Sequence, residues 1–136
     1  MLKQALTHRS ASKKNNERLE FLGDALLNFI VARRLYERNK NDSEGDLSRL
    51  RAALVKGETL ADIGRELDVE PHIIVGPGEL RSGGARRSSV LANTVEALVG
   101  AVLLDGGFAA AETCVNRLMT ERLNTLPDAA SLKDSK

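Results

Sequence analysis

Residues 17–38 decide the fold, and they read ERLEFLGDALLNFIVARRLYER. No proline interrupts this stretch. Apolar residues recur along it at the three- and four-residue spacing of a helix face, at Leu19, Leu22, Ala25, Leu26, Phe29, Ile30 and Leu35. We therefore predict one long, largely buried helix over residues 17–38.

Helical periodicity dominates the sequence on both sides of this segment as well. Further helices are predicted over residues 2–7, 43–56, 58–67, 87–104 and 109–123. Ser43 is the expected N-cap of its helix, with Asp46 three residues later. Asp105-Gly106-Gly107 is a natural helix stop. Because no alternation typical of a β-strand extends beyond a few residues, we predict an all-α helical bundle.

Two segments lack a helical pattern. Residues 8–16 are predicted to form a polar loop. Residues 69–84 contain Pro71, Gly76-Pro77-Gly78 and Gly83-Gly84. We therefore predict that they form a second loop, with one helical turn over 79–81. The expected organisation is a single domain over residues 1–126. Residues 127–136 are a polar tail or the start of a linker.

Composition limits the class of protein. The chain has 136 residues, 42% of them hydrophobic, and a formal net charge of +1, so it fits one globular domain whose basic surface can only be local. Its single cysteine, Cys114, excludes a disulfide framework and a multi-cysteine zinc site. No signal peptide or apolar run of roughly 20 residues is present. We expect a cytoplasmic protein with no membrane partner.

An acidic stripe runs along the helix predicted over residues 17–38. At about 100° per residue, Glu17, Glu20, Asp24 and Asn28 fall on one narrow face. Aligned carboxylates repel one another unless a cation or a basic partner compensates them. The ordinary alternative is a solvated face with salt bridges to nearby Lys and Arg.

A second helix carries isolated polar residues within the apolar sequence VLANTVEALVGAVLL, residues 90–104. Asn93 and Glu96 stand three residues apart on one face, and Gly100 follows one turn later, where its small size permits close helix approach. A metal ion bound jointly by this helix and the acidic stripe satisfies all these groups. The alternative is a core salt bridge from Glu96 to an arginine.

The ligand types narrow the choice of metal. Neither His8 nor His72 lies at the Glu-x-x-His spacing of a di-iron bundle, and zinc is disfavoured for the same lack of nitrogen ligands. Ligation by oxygen alone favours Mg²⁺, with Mn²⁺ as a substitute, and these ions usually act on phosphates.

The segment ERLEFLGDA, residues 17–25, resembles the signature box of the ribonuclease III endonuclease domain of the bacterial type. ALTHRS (5–10), EGDLSRLRA (44–52), GPGELRSGG (76–84) and TVEALVGAV (94–102) extend the resemblance in order along nearly the whole chain. It implies an all-α bundle working as a two-fold homodimer. It also implies Mg²⁺-dependent endonucleolytic hydrolysis of double-stranded RNA that leaves 5′-phosphate and 3′-hydroxyl ends.

The resemblance assigns roles to the acids. It matches Glu20, Asp24 and Glu96 to catalytic metal-binding carboxylates, and it makes Glu17 and Glu44 accessory acids of the same valley. Asn93 occupies a fourth catalytic and metal-binding position at which the family normally has aspartate. A neutral amide oxygen still coordinates Mg²⁺, but more weakly, so we expect weakened activity.

The same resemblance suggests the contacts with partners. Phe21 lies on the acidic side of its helix and matches a residue of the family's dimer interface, with core packing as the alternative. The segment 81–87 contains no acid, so Arg81, Arg86 and Arg87 are candidates for RNA phosphate contacts, with a solvated loop as the alternative.

The activity of this chain has a competing interpretation. Family members commonly carry a C-terminal double-stranded RNA-binding domain, which is not expected in this chain, so its RNA affinity should be poor. A non-cleaving RNA-binding or structural module on the same fold is the alternative function. Asn93 favours that alternative, and the intact Glu20, Asp24 and Glu96 oppose it.

Overall fold

The computed structural model describes residues 1–129 as a helical bundle. Its helices are α1 (Leu2–Ala5), α2 (Glu17–Arg38), α3 (Glu44–Val55), α4 (Gly57–Glu66), α5 (Pro77–Arg81) and α6 (Ser88–Asn124). Within these described residues, extended pairing is limited to one parallel bridge between Thr7 and Ile74. The predicted all-α fold is confirmed. Of the tail predicted over 127–136, residues 130–136 lie outside the described part of the chain.

The long helix α6 is broken where the glycines predict a stop. Gly107 has φ 86° and ψ 175°, which lies outside the helical region and favours glycine. We call residues 88–106 the first half of α6 and residues 108–124 the second half. The break is confined to this one residue, so the helices predicted separately over 87–104 and 109–123 form one kinked element.

Local sequence signals account for the starts of α3 and α5. The Ser43 hydroxyl oxygen accepts a hydrogen bond from the Asp46 backbone N–H at 3.1 Å, which is the predicted N-cap of α3. Pro77 occupies the first turn of α5, where its fixed φ suits a helix and its missing N–H costs nothing. The helical turn predicted over 79–81 therefore begins two residues earlier.

The core lies between α2, α4 and the two halves of α6, which make most of the contacts between helices. Side chains from α2, α3, α4 and the second half of α6 are almost completely buried in it, among them Leu27, Leu35, Leu50, Leu54, Leu60, Met119 and Leu123. This burial supplies the main favourable term in folding.

Among the described residues, α6 is the one helix long and apolar enough to cross a membrane by length and composition alone. It is also the central helix of the bundle, packed against α2 and α4. That role in the core accounts for its apolar sequence, so the hydropathy alone is weak support for a membrane span.

Candidate active site

The site is built where α2 crosses the first half of α6. A Cβ atom added to Gly23 would lie 1.7 Å from the backbone oxygen of Glu96, and one added to Gly100 would lie 2.4 Å from the backbone oxygen of Leu19. The two backbones therefore touch, as the small size of Gly100 predicts. Sequence reasoning missed Gly23, the partner of Gly100 in this contact. The crossing sets Asp24, the neighbour of Gly23, beside Glu96.

The acids of the two helices meet at this crossing. Glu96 is only 9% exposed, and its carboxyl group lies within hydrogen-bonding reach of Asp24 and within the electrostatic influence of Glu20. The Asn28 side-chain amide donates to the backbone oxygen of Asp24 at 2.9 Å and approaches its carboxylate at 3.5 Å, so it helps to hold that residue. Asn93 is half-buried one helical turn before Glu96.

Among the described residues, no basic side chain compensates the charge of Glu96. Among the salt bridges of residues 1–129, none involves this carboxyl group, and every influence on its pKa acts in one direction. Burial, the hydrogen bond with Asp24 and the charges of Asp24 and Glu20 raise its pKa from 4.5 to about 9. The core salt bridge to an arginine is therefore not what the structure contains. Without a bound cation, Glu96 keeps a proton at neutral pH.

This arrangement predicts how stability depends on pH in a chelator. Unfolding returns the pKa of Glu96 from about 9 to 4.5, so the unfolded chain binds fewer protons and stability falls as pH rises through that window. Glu96→Gln removes this dependence, because glutamine resembles the protonated acid. We expect the variant to melt at a higher temperature than the unmodified chain at the alkaline end and at a similar temperature at the acidic end. The prediction would be contradicted if the difference in melting temperature between the two proteins were the same at every pH.

Glu20 and Glu17 form the outer part of the acidic stripe. Burial raises the pKa of Glu20, the charges of Glu17 and Asp24 raise it further, and Arg9 opposes them. Glu17 is exposed and lies 3.6 Å from the Arg9 guanidinium. The acidic stripe is therefore an exposed or half-buried surface of α2, and its Asp24 end lies against the buried Glu96 of α6.

The chemistry of these donors suits a hard divalent cation. Among residues 1–129, no three His, Cys, Asp or Glu side chains already converge as a set that could hold a metal ion. The exposed Asp24 and the buried Glu96, however, lie within hydrogen-bonding reach of each other, and none of the salt bridges among residues 1–129 neutralises the Glu96 carboxyl group. A divalent cation that replaces the proton of Glu96 would satisfy both carboxylates, with Glu20 and the Asn93 amide oxygen as neighbouring oxygen donors.

The structure does not bring Glu44 to these acids within one chain. Glu44 lines a separate surface groove with Leu35 and Tyr36 of α2. Leu35 follows Glu20 by fifteen residues, which is about 22 Å along a helix. The distance arises because α3 packs against the far end of α2, so the accessory role of Glu44 stays a prediction.

The three arginines predicted to contact RNA are exposed, and one of them forms an ion pair within the chain. Arg81, Arg86 and Arg87 all lie on the surface. Arg87 donates a hydrogen bond to Glu79 at 2.7 Å, so an acid just before the segment 81–87 neutralises part of its charge. Sequence spacing gave no sign of this pair, which joins residues on either side of a glycine-rich turn.

Phe21 is not a core residue of this chain. Its side chain is 80% exposed, so the core-packing alternative is excluded within one protomer. Phe21, Ala25 and Phe29 follow one another at four-residue spacing on the exposed side of α2. Leu104 and Phe108 of α6 extend this surface, and we call these five residues the apolar stripe.

Comparison with known proteins gives the family. The profile described as Ribonuclease-III-like matches residues 1–123. The chain belongs to the ribonuclease-III-like family. Membership explains why the sequence blocks quoted above occur in this order.

Relatives named Ribonuclease 3 match this ribonuclease-III-like chain from end to end. The protein of Nitrosococcus oceani is 56% identical over an alignment of 138 positions, which covers 100% of this chain and 59% of the relative. The proteins of Alkalilimnicola ehrlichii and Vibrio cholerae are 55% and 52% identical, and each is matched over 60% of its length. The chain therefore spans less than two thirds of these relatives.

Solved structures of the ribonuclease-III-like family share the fold. The nuclease domain of ribonuclease III from Campylobacter jejuni superimposes with a TM-score of 0.85 at 42% identity, covering 93% of this chain and 86% of that domain. A second structure of that domain, 44% identical over 88% of this chain and 85% of that one, also has a TM-score of 0.85 and describes flexibility in a region involved in dimer formation. Dicer from Pichia stipitis has a TM-score of 0.70 at 27% identity, covering 90% of this chain and 55% of Dicer.

Proposed function

We propose that this chain is the catalytic domain of an endoribonuclease that hydrolyses phosphodiesters in double-stranded RNA. One observation carries the proposal: the buried Glu96 faces Asp24 and Glu20 across the helix crossing, and no basic side chain among residues 1–129 neutralises it. Relatives named Ribonuclease 3 support the reaction class. The domain is proposed to span residues 1–126 and to act in the cytoplasm.

The acidic residues of the site are proposed to hold a divalent cation, and neighbouring features of the site support them. Asp24, Glu96, Glu20 and Asn93 would hold Mg²⁺, or Mn²⁺ in its place. When bound, the divalent cation supplies Lewis-acid stabilisation of the phosphate and an activated water. Asn28 fixes the position of Asp24 through its backbone oxygen. Burial of Glu96 excludes competing water from the inner end of the site.

The proposed substrate agrees with the chain's composition. Duplex RNA is recognised mainly through its shape, phosphates and 2′-hydroxyl groups, so the low aromatic content of 3% is no obstacle. Arg81 and Arg86 are exposed and available for phosphates, and Arg87 is available if it leaves Glu79. The modest net charge of +1 limits the affinity of this domain alone.

The apolar stripe supports a two-fold homodimer. A contiguous exposed surface of aromatic and aliphatic side chains is typical of a protein–protein interface. The related Campylobacter jejuni domain has a region involved in dimer formation. A dimer also provides two acid sites, one for each strand of a duplex.

Phe21→Ala is expected to shift the chain toward monomer. Truncating a buried interface aromatic costs roughly 3 kcal/mol, or about 100-fold in the dimer dissociation constant. Sedimentation equilibrium measures this constant. Tyr36→Ala is the matched control, because Tyr36 is an aromatic 73% exposed on the same helix but lies outside the apolar stripe. Equal dimer dissociation constants for the two variants would show that Phe21 does not lie in the dimer interface.

Asn93→Asp is expected to raise cleavage and tighten Mg²⁺ binding together. The new carboxylate adds a negative charge beside Glu20, Asp24 and Glu96, and this favours a divalent cation. We expect a gain of about 10- to 100-fold at low Mg²⁺. Cleavage rates measured across a Mg²⁺ titration check this, with Asn41→Asp in an exposed loop as the control. Identical rates at every Mg²⁺ concentration would show that position 93 holds no metal.

The alternative proposal is a non-cleaving RNA-binding or structural module, and Asn93 is the observation that favours it. In that case neither the unmodified chain nor the Asn93→Asp variant cuts RNA at any Mg²⁺ concentration. Duplex binding without cleavage then distinguishes an RNA-binding module from a purely structural one.

A further inference from the structure

Arg9 stands at the exposed edge of the acidic site. Its side chain is 71% exposed, and its guanidinium lies 3.6 Å from Glu17. Among the described residues it is also the positive charge that acts on the pKa of Glu20, although burial is the main influence there. Arg9 is therefore a cation beside an otherwise acidic surface.

The backbone that carries Arg9 is held firmly on both sides. The His8 N–H donates to Ile74 at 2.9 Å, and the Gly76 N–H donates to the Ser10 hydroxyl oxygen at 2.8 Å. His8 Nδ1 and the Ser10 hydroxyl group are also hydrogen-bonded at 2.7 Å. A Cβ atom at Gly76 would lie 2.2 Å from the Ser10 backbone oxygen, so the two loops are in direct contact. The loop therefore holds the backbone of Arg9 in place while the guanidinium group stays exposed.

The contact between Arg9 and Glu17 does not by itself explain why the loop that carries Arg9 is held so firmly. Both side chains are more than half exposed, at 71% and 56%. A surface pair of this kind contributes about 0 to 1 kcal/mol, so it is easily given up. A phosphate is a better partner for the guanidinium, because it accepts two parallel charge-assisted hydrogen bonds.

An acidic site that acts on RNA must also bring a phosphate close to several carboxylates. Glu17, Glu20 and Asp24 repel that phosphate. A cation at the edge of the site offsets the repulsion before any metal ion is considered. Arg87 is less suited, because its guanidinium is already bonded to Glu79.

We propose that Arg9 binds a backbone phosphate of the RNA duplex next to the acidic site, exchanging its partner Glu17 for that phosphate. The inference rests on the proposed function and adds a substrate-positioning residue to it. Arg9 positions the duplex, and the carboxylates remain the groups that hold the cation. Release of Glu17 from Arg9 leaves that carboxylate free to face the site.

Duplex binding measured in a chelator tests the proposal without cleavage. Fluorescence anisotropy of a labelled RNA duplex is recorded at several salt concentrations. We expect Arg9→Gln to weaken binding about 10-fold, as for a lost hydrogen bond to a charged group, and to lower the salt slope by about one. Arg65→Gln is the matched control, because Arg65 is also exposed and pairs with a surface acid, Asp62, at 2.9 Å.

Glu17→Gln separates phosphate binding from a structural role of the pair. If Arg9 only supports the fold through Glu17, both single variants weaken binding alike. If Arg9 binds phosphate, Glu17→Gln tightens binding because it frees the guanidinium. Removing the Glu17 charge also lessens the repulsion of the phosphate, so the gain should be smaller but not absent in the Arg9→Gln background, and a double-mutant cycle measures the difference.

Three outcomes are distinguishable. The proposal is supported if Arg9→Gln weakens binding, Arg65→Gln does not, and the gain from Glu17→Gln is smaller in the Arg9→Gln background than in the unmodified chain. Equal binding by Arg9→Gln, Arg65→Gln and the unmodified chain overturns it and leaves the proposed function standing. A chain that neither binds nor cuts duplex RNA overturns both. Melting curves of each variant confirm that the compared proteins are folded.

Discussion

Replacing Gly23 with alanine is expected to cost the chain about 3 kcal/mol of stability or more. A Cβ atom at this position would lie 1.7 Å from the backbone oxygen of Glu96, and a backbone cannot swing aside as a flexible side chain can. Overpacking in a core usually costs about 1–3 kcal/mol, and a clash with backbone belongs at the upper end. For a domain of this size we expect the melting temperature to fall by roughly 10 °C.

The same substitution should also disable the site in the molecules that remain folded. Separating α2 from α6 moves Asp24 away from Glu96, so the contact between the two acids is lost. Gly57→Ala is the control, since no atom of the described residues lies within 4 Å of its added Cβ, and alanine there should be neutral or stabilising by up to about 1 kcal/mol. Thermal melts followed by circular dichroism compare the two. Equal melting temperatures would show that the helices do not touch at Gly23.

Glu96→Gln should abolish cleavage while leaving the fold intact. Glutamine has nearly the shape of the protonated carboxyl group that the raised pKa of about 9 indicates, but it lacks the charge that a divalent cation needs. Losing a supporting residue around a metal typically costs about 10- to 100-fold, so losing a charged ligand should cost at least 100-fold. The measurement is the initial rate of duplex RNA cleavage, made in the Asn93→Asp background so that the loss is visible.

Glu121→Gln provides the matched control for that experiment. Glu121 is an exposed glutamate on the second half of α6, so the substitution makes the same chemical change on the same helix away from the site. We expect its rate to equal that of the parent. Normal Mg²⁺-dependent activity in the Glu96→Gln variant would show that Glu96 is not part of the site. Melting curves of both variants in chelator show whether a loss of activity arises from unfolding.

Much of the scaffold is predictable because it depends on local signals. The bounds predicted for the long helix, 17–38, are those of α2, and the glycines at 106–107 mark the break in α6. The acidic stripe is predictable because helical geometry fixes which residues share a face. Glu96 stands out because a carboxylate within an apolar helix needs a partner.

The unpredicted features depend on how separate elements meet. Gly23 is one glycine within a helix, and nothing in the local sequence says that it touches the backbone of Glu96. Phe29 belongs to the helix's apolar set, yet it is 52% exposed, because periodicity cannot separate a core face from an exposed apolar surface such as the proposed dimer interface. The pair of Arg87 and Glu79 spans a turn whose path the sequence does not determine.

Cleavage of a defined RNA duplex by the Asn93→Asp variant tests most directly the proposal that this acidic site cuts double-stranded RNA with a divalent cation. The assay compares the duplex with each strand alone, in Mg²⁺ and in chelator, and identifies the product ends. We predict cleavage of the duplex only, in Mg²⁺ only, with 5′-phosphate and 3′-hydroxyl ends. Cleavage in chelator, equal cleavage of the single strands, or no cleavage at any Mg²⁺ concentration would contradict the proposal.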